Sequence, residues 1–244
     1  MMNDNEIIRD FFMSRLERDG KSEALLDYTT GIRYYYQDFD VRSRKFANFL
    51  TDKAKIKKGD RVAICAGNCV QHIDMFYAIV RTGYIMTSYN VKLTERELSE
   101  LILKENPSVV LYEEEFGEKA AALKKRFPEV AFISTGNKKQ EGDLACYQEV
   151  LEYSDEDRSL PDHQFEDIAM LVHTGGTTGI PKAAMISYRA LYYNVINQVT
   201  AYGVNNRDVV YVCLPLFHAA AWNSLLMPLL YVGARMVMTR KFDK

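Results

Sequence analysis

Apolar residues along this chain fall into two patterns, short continuous runs and stripes at helical spacing. Residues 61–66, 85–88, 109–112, 130–134, 168–172 and 209–214 are runs of strand length, and such runs between turn residues read as buried strands. Between them apolar positions recur every three or four residues. Phe39, Phe46, Phe49 and Leu50 form one stripe, and Val70, Ile73, Tyr77 and Val80 a second. Leu98, Leu101 and Ile102 form a third, residues 117–126 a further helix, and Leu191, Val195, Ile196 and Val199 the last. Strand and helix alternate, which predicts an α/β fold of layered, mostly parallel sheets with helices on both faces.

Polar residues punctuate these elements. Asp38 is the expected N-cap of the first helix, Thr94 and Glu97 form a capping box for the third, and Ser187 and Gly203 bound the last. Residues 26–36 contain a Thr-Thr-Gly turn and read as a hairpin-like element. Asp60, Asn68 and Asn90 read as turn formers or caps. Residues 137–167 are polar and acidic, as expected of a surface connection. Residues 209–234 carry no charged side chain and are long enough to span a bilayer. Pro215, His218, Asn223 and Pro228 interrupt them, so a buried strand, turn and short helix is the better reading. Residues 232–238 then make a turn and a strand.

Composition narrows the class. The chain has 244 residues, 31 basic and 33 acidic, for a net charge of −2. No basic stripe supports a nucleic-acid partner. Cys65, Cys69, Cys146 and Cys213 are scattered as reduced buried thiols are, and Cys65, Cys69 and His72 lack a fourth metal ligand of matching spacing. The N-terminus has neither the basic start nor the apolar core of a signal peptide. A cytosolic protein without a membrane span is expected.

Chemistry concentrates where the run 168–172 empties into Thr174-Gly175-Gly176-Thr177-Thr178-Gly179-Ile180-Pro181-Lys182. The glycines let successive N–H groups converge on an anion. Thr174, Thr177 and Thr178 add hydroxyl donors, Lys182 adds a positive charge, and Pro181 stiffens the exit. These donors suit a polyphosphate. Neither the Walker pattern nor the dinucleotide fingerprint fits, because Lys182 follows proline and the glycine spacing is wrong.

Positions 174–182 resemble the signature of the adenylate-forming (AMP-binding) superfamily, which includes acyl-CoA and aryl-CoA synthetases, luciferases and peptide-synthetase adenylation domains. Ala183 stands where glycine is usual, and Tyr188 where histidine is common. More diffuse likeness extends through residues 34–68 and 75–102. Pro215-Leu216-Phe217-His218 resembles the segment in which acid–CoA ligases carry a histidine at the carboxylate pocket wall. A site is also expected there because open α/β sheets bind ligands beyond the carboxyl ends of their strands.

The resemblance implies an AMP-forming acid–CoA ligase of fatty-acid or related metabolism, using ATP, Mg²⁺ and coenzyme A. Thr174, Gly175, Gly176, Thr177, Thr178, Gly179 and Lys182 would hold the ATP phosphates, with Lys182 catalytic, Thr174 also a magnesium ligand and His218 in the acyl pocket. It leaves an aliphatic or aromatic acid open, together with a possible homodimer. Two subdomains are expected, about 1–166 and about 167–244, as a truncated N-terminal adenylation domain whose C-terminal domain is absent and which is inactive alone. An enzyme loading a carrier protein and a non-catalytic nucleotide-binding module are the alternatives.

Overall fold

The computed structural model of the chain describes residues 3–173 and 181–240. In chain order its elements are α1 (Asp4–Arg18), β1 (Glu23–Asp27), β2 (Arg33–Tyr35), α2 (Tyr36–Asp52), β3 (Arg61–Cys65), α3 (Gln71–Thr82) and β4 (Ile85–Ser88). There follow α4 (Glu95–Glu105), β5 (Val109–Tyr112), α5 (Gly117–Arg126), β6 (Ala131–Ser134), β7 (Ala145–Cys146) and α6 (Tyr147–Leu151). The last are β8 (Ile168–His173), β9 (Ala183–Ser187), α7 (Tyr188–Tyr202), β10 (Val209–Val212), α8 (Met227–Val232) and β11 (Arg235–Met238).

Two sheets carry these strands, one of seven in the order β7-β6-β5-β3-β4-β8-β9 and one of four in the order β10-β11-β1-β2. Neighbours run parallel except β1 with β2 and β8 with β9. Strand residues alternate between two cores, as the period of two requires. Val62, Ile64, Val109 and Leu111 face the core that holds α2 and α3. Ala63, Cys65, Val110 and Tyr112 face a second core with Leu98 and Leu101 of α4 and Leu123 of α5. Helices on both faces of a mostly parallel sheet are thus confirmed. Strands are shared across the expected division near residue 167: β8 and β9 complete the sheet of β3–β7, and β1 pairs with β11.

Several local readings change. Asp38 is not the N-cap of α2. It occupies the third helical position, and its carboxylate accepts the Tyr35 N–H at 2.7 Å. Residues 137–167 are not only a surface connection, because β7 and α6 lie within them and bury Ala145, Cys146, Tyr147 and Val150. Helix α1 was not anticipated, although Asn3 and Glu6 close a reciprocal capping box at its start. In α3 the buried set is not one stripe but the whole of residues 72–80. A helix buried all round lies inside the core, and rings of Phe12 and Trp222 pack on it at Phe76.

Within that helix Asp74 is fully buried. Arg42 of α2 grips its carboxylate with Nε at 2.9 Å and Nη2 at 2.7 Å, and the Tyr147 hydroxyl donates to it at 2.7 Å. The group is satisfied by two other helices, each far from it in sequence. Asp74→Ala, which strands the Arg42 guanidinium, is expected to lower the unfolding free energy by about 3–5 kcal/mol. Tyr147→Phe is expected to cost about 1 kcal/mol. Urea unfolding of both variants checks this, and comparable small losses would refute the central role of the ion pair.

Candidate functional site

Strands β8 and β9 pair antiparallel, with His173 opposite Ala183 and Val172 opposite Ala184. The glycine- and threonine-rich stretch therefore joins two hydrogen-bonded strands at the carboxyl end of β8, beside the carboxyl end of β4. Thr174, Gly175, Gly176, Thr177, Thr178 and Gly179 lie outside the described residues. Lys182 is described and exposed, directly ahead of β9. Both departures from the signature fall on structural positions. Ala183 opens β9, and Tyr188 opens α7, buried, with its hydroxyl donating to Ile79 O of α3 at 3.2 Å.

A cavity of about 530 Å³ lies at this place, lined by Val172, His173, Ala184, Ile186, His218 and Asn223 among others. It brings the end of β8 and the start of β9 together with His218, more than thirty residues further along the chain. The wall is mainly apolar, since Leu214, Pro215, Ala219 and Ala220 complete it. His218 is exposed and sits in a turn closed by its own N–H donating to Pro215 O at 3.0 Å.

That turn is held from a distance. Asn68 Nδ2 donates to Leu214 O at 3.1 Å, and Asn68 Oδ1 accepts the Leu216 N–H at 2.8 Å. Trp222 Nε1 donates to Leu216 O at 2.6 Å from the π-helical turn Ala221–Leu226. Asn68 is therefore a clamp on the segment carrying His218, not a local turn former. Asp60 and Asn90 do act locally, accepting the N–H groups of Lys57 and Lys92. Trp222 is core, as its size suggests.

His173 was missed, although it immediately precedes Thr174. Its Nε2 lies 2.6 Å from Glu105 Oε1 and its Nδ1 3.2 Å from Ser88 O. Thr87 Oγ1 donates to the other Glu105 oxygen at 3.3 Å. The imidazole is thus pinned between α4 and β4, which fixes the point where β8 ends. Only a histidine at the lip of the glycine-rich stretch could have signalled this in sequence.

Below the wall, His72 is fully buried against Trp222, with ring centroids 6.4 Å apart. Its Nδ1 contacts Cys69 Sγ at 3.3 Å, and its Nε2 has no partner. Burial pulls the imidazole down to about 3 and pushes the Cys65 thiol up to about 12, so these groups stay neutral at pH 7. Among the described residues no group of three or more His, Cys, Asp or Glu side chains could hold a metal ion.

Known proteins match the chain over most of its length. The family model described as "AMP-binding enzyme" matches residues 12–244. 4-coumarate–CoA ligase 3 of Oryza sativa subsp. japonica is 30% identical over 242 residues, which cover 97% of this chain and 42% of that protein. The medium-chain-fatty-acid–CoA ligase of Ectopseudomonas oleovorans is 26% identical over 251 residues, covering 98% and 45%. ATP-bound MatB from Rhodopseudomonas palustris superposes with a TM-score of 0.85 at 24% identity, over 99% of this chain and 46% of that one. This last likeness is one of fold. The chain spans less than half the length of the curated relatives it matches.

Because the His72 imidazole titrates far below its ordinary value of 6.5, the unfolded chain binds more protons than the folded one between about pH 3 and 6.5. The stability it preserves is complete above pH 6.5 and is lost as pH falls. Relative to His72→Gln, the parent chain should lose stability more steeply below pH 6.5, by up to about 1.4 kcal/mol per pH unit. Denaturant unfolding of both at pH 5 to 7 checks this, and parallel profiles would contradict it.

Proposed function

The chain belongs to the AMP-binding enzyme family, and from that premise we propose that it supplies the nucleotide- and acid-holding part of an AMP-forming acid–CoA ligase. One observation carries the reading: the ends of β8 and β9, which bracket the glycine- and threonine-rich stretch, meet His218 at a single cavity. Its largely apolar wall suits a carboxylic acid with an apolar body. The two curated relatives act, by name, on an aromatic and an aliphatic acid, and both substrates have that character.

In the proposed reaction a carboxylate oxygen bonds to the α-phosphorus of ATP as the α–β bridging bond breaks and pyrophosphate leaves. The sulfur of coenzyme A then attacks the acyl carbon and AMP departs. Thr174, Gly175, Gly176, Thr177, Thr178, Gly179 and Lys182 are assigned to the ATP phosphates, where N–H groups, hydroxyls and a cation offset the charge that builds on the leaving group. Thr174 would offer magnesium one hydroxyl oxygen, far fewer than the ion requires. His218 is assigned to the acid, at the cavity wall. No described helix is long and apolar enough to cross a membrane, and the reading keeps a cytosolic setting in which all the cysteines are free thiols.

Acid-dependent exchange of pyrophosphate into ATP, run over a panel of aliphatic and aromatic acids with the intact polypeptide that carries this chain, tests the proposal. Nucleotide binding without exchange for any acid would favour a non-catalytic module instead. Lys182→Ala should slow adenylation by about a hundredfold while transfer from preformed acyl-adenylate changes far less. Equal slowing of both half-reactions would remove its assigned role. His218→Ala should raise KM for the acid and leave KM for ATP nearly unchanged, and the reverse pattern would move His218 out of the acid pocket.

A further inference from the structure

A second, strongly polar cavity of about 300 Å³ lies between α1, α2, the C-terminal end of α3 and residues 157–160. Four guanidinium groups line it, from Arg9, Arg44, Arg81 and Arg158, against the carboxylates of Glu17, Asp40 and Asp157. Arg81 is nearly withdrawn from water, with 7% of its side chain exposed. Its Nη2 and Arg44 Nη2 bond the two oxygens of the same Asp40 carboxylate, at 2.5 and 2.8 Å, so two cations divide one anion. Arg81 Nε meets only a neutral hydroxyl, Ser43 Oγ, at 3.0 Å.

The remaining counter-charge is weak. Asp157 stands 3.7 Å from Arg81 Nη1 with 70% of its side chain exposed, and exposed pairs of that kind contribute little. Arg44 Nε is buried with no partner at all. Arg158 is held from outside the cavity, its nitrogens bonding Asp52 at 2.9 Å. Burial disfavours the charge on Arg81, and the neighbouring Arg44 adds to that against the opposing pull of Asp40. A buried donor without an acceptor and a buried cation sharing its anion are both unfavourable. A compact anion with several acceptor oxygens would relieve the second, because guanidinium forks match phosphate geometry.

We propose that this cavity binds a phosphate dianion, free or as a monoester, held by Arg44 and Arg81, with Asp157 as the carboxylate it displaces. The site is separate from the one assigned to ATP and does not depend on that assignment.

The test is a titration of the ¹⁵N-labelled chain with inorganic phosphate, following the Nε–Hε signals of Arg44 and Arg81. It is run in the Lys182→Ala background to weaken binding at the ATP phosphate stretch, and against sodium chloride at matched ionic strength. Phosphate should shift both signals saturably and chloride should not. Arg44→Gln, read at Arg81, should weaken binding by about tenfold. Asp157→Asn, which removes the competing carboxylate at an exposed position, should tighten it by about threefold. Absence of a saturable shift, an equal response to chloride, or weaker binding by Asp157→Asn would each overturn the proposal. Methyl phosphate in the same titration separates the two sources: tighter binding than inorganic phosphate identifies a monoester, and equal or weaker binding identifies the free anion.

Discussion

A carboxylate cut off from water sits near the middle of this fold, and the arrangement of helices follows from how it is satisfied. Asp74 lies in α3, which is buried on every side over residues 72–80. An unpaired charge there would be prohibitive. The bidentate grip of Arg42 and the Tyr147 hydroxyl resolve it, and Arg42 in turn lies over the rings of Tyr34 and Tyr147 at 5.2 and 5.9 Å. Three contacts thus bind α2 and α6 to α3. The α6 contact draws the polar 137–167 excursion back onto the sheet before the chain enters β8.

The candidate site depends on that rigidity at one remove. Trp222 packs on α3 and bonds Leu216 O, while Asn68, just ahead of α3, clamps the same turn from the other side. His218 is therefore placed by residues that do not themselves line its cavity. On the opposite wall His173 is pinned by Glu105 and Ser88. The two histidines hang from separate anchors on either side of one cavity. Rigid elements around a ligand position are what a preorganised site requires.

Net charge says little about where charge acts in this molecule. A chain at −2 overall still gathers guanidinium groups around a single cavity, since Arg44 and Arg81 are brought together by the packing of α2 on α3. Thirty-seven positions separate them in the chain. Only the side-on meeting of two helices turns them into a shared, desolvated patch.

Much of the fold was legible in the sequence because its signals are local. Apolar runs located β4, β5 and β8, Thr94 with Glu97 marked the start of α4, and Ser187 and Gly203 marked both ends of α7. Composition alone raises the expectation of an anion site in the glycine- and threonine-rich stretch, whose residues 174–180 lie outside those described. Some local signals were present and passed over, such as the Asn3–Glu6 box of α1. Other features had no local signal. The pairing of β1 with β11, the long-range grip of Asn68, the His173–Glu105 contact and the meeting of β8, β9 and His218 join residues far apart in the chain. Periodicity reports which face of an element is buried, not which element buries it. That choice is made by packing among all the elements at once, so tertiary structure alone decides it.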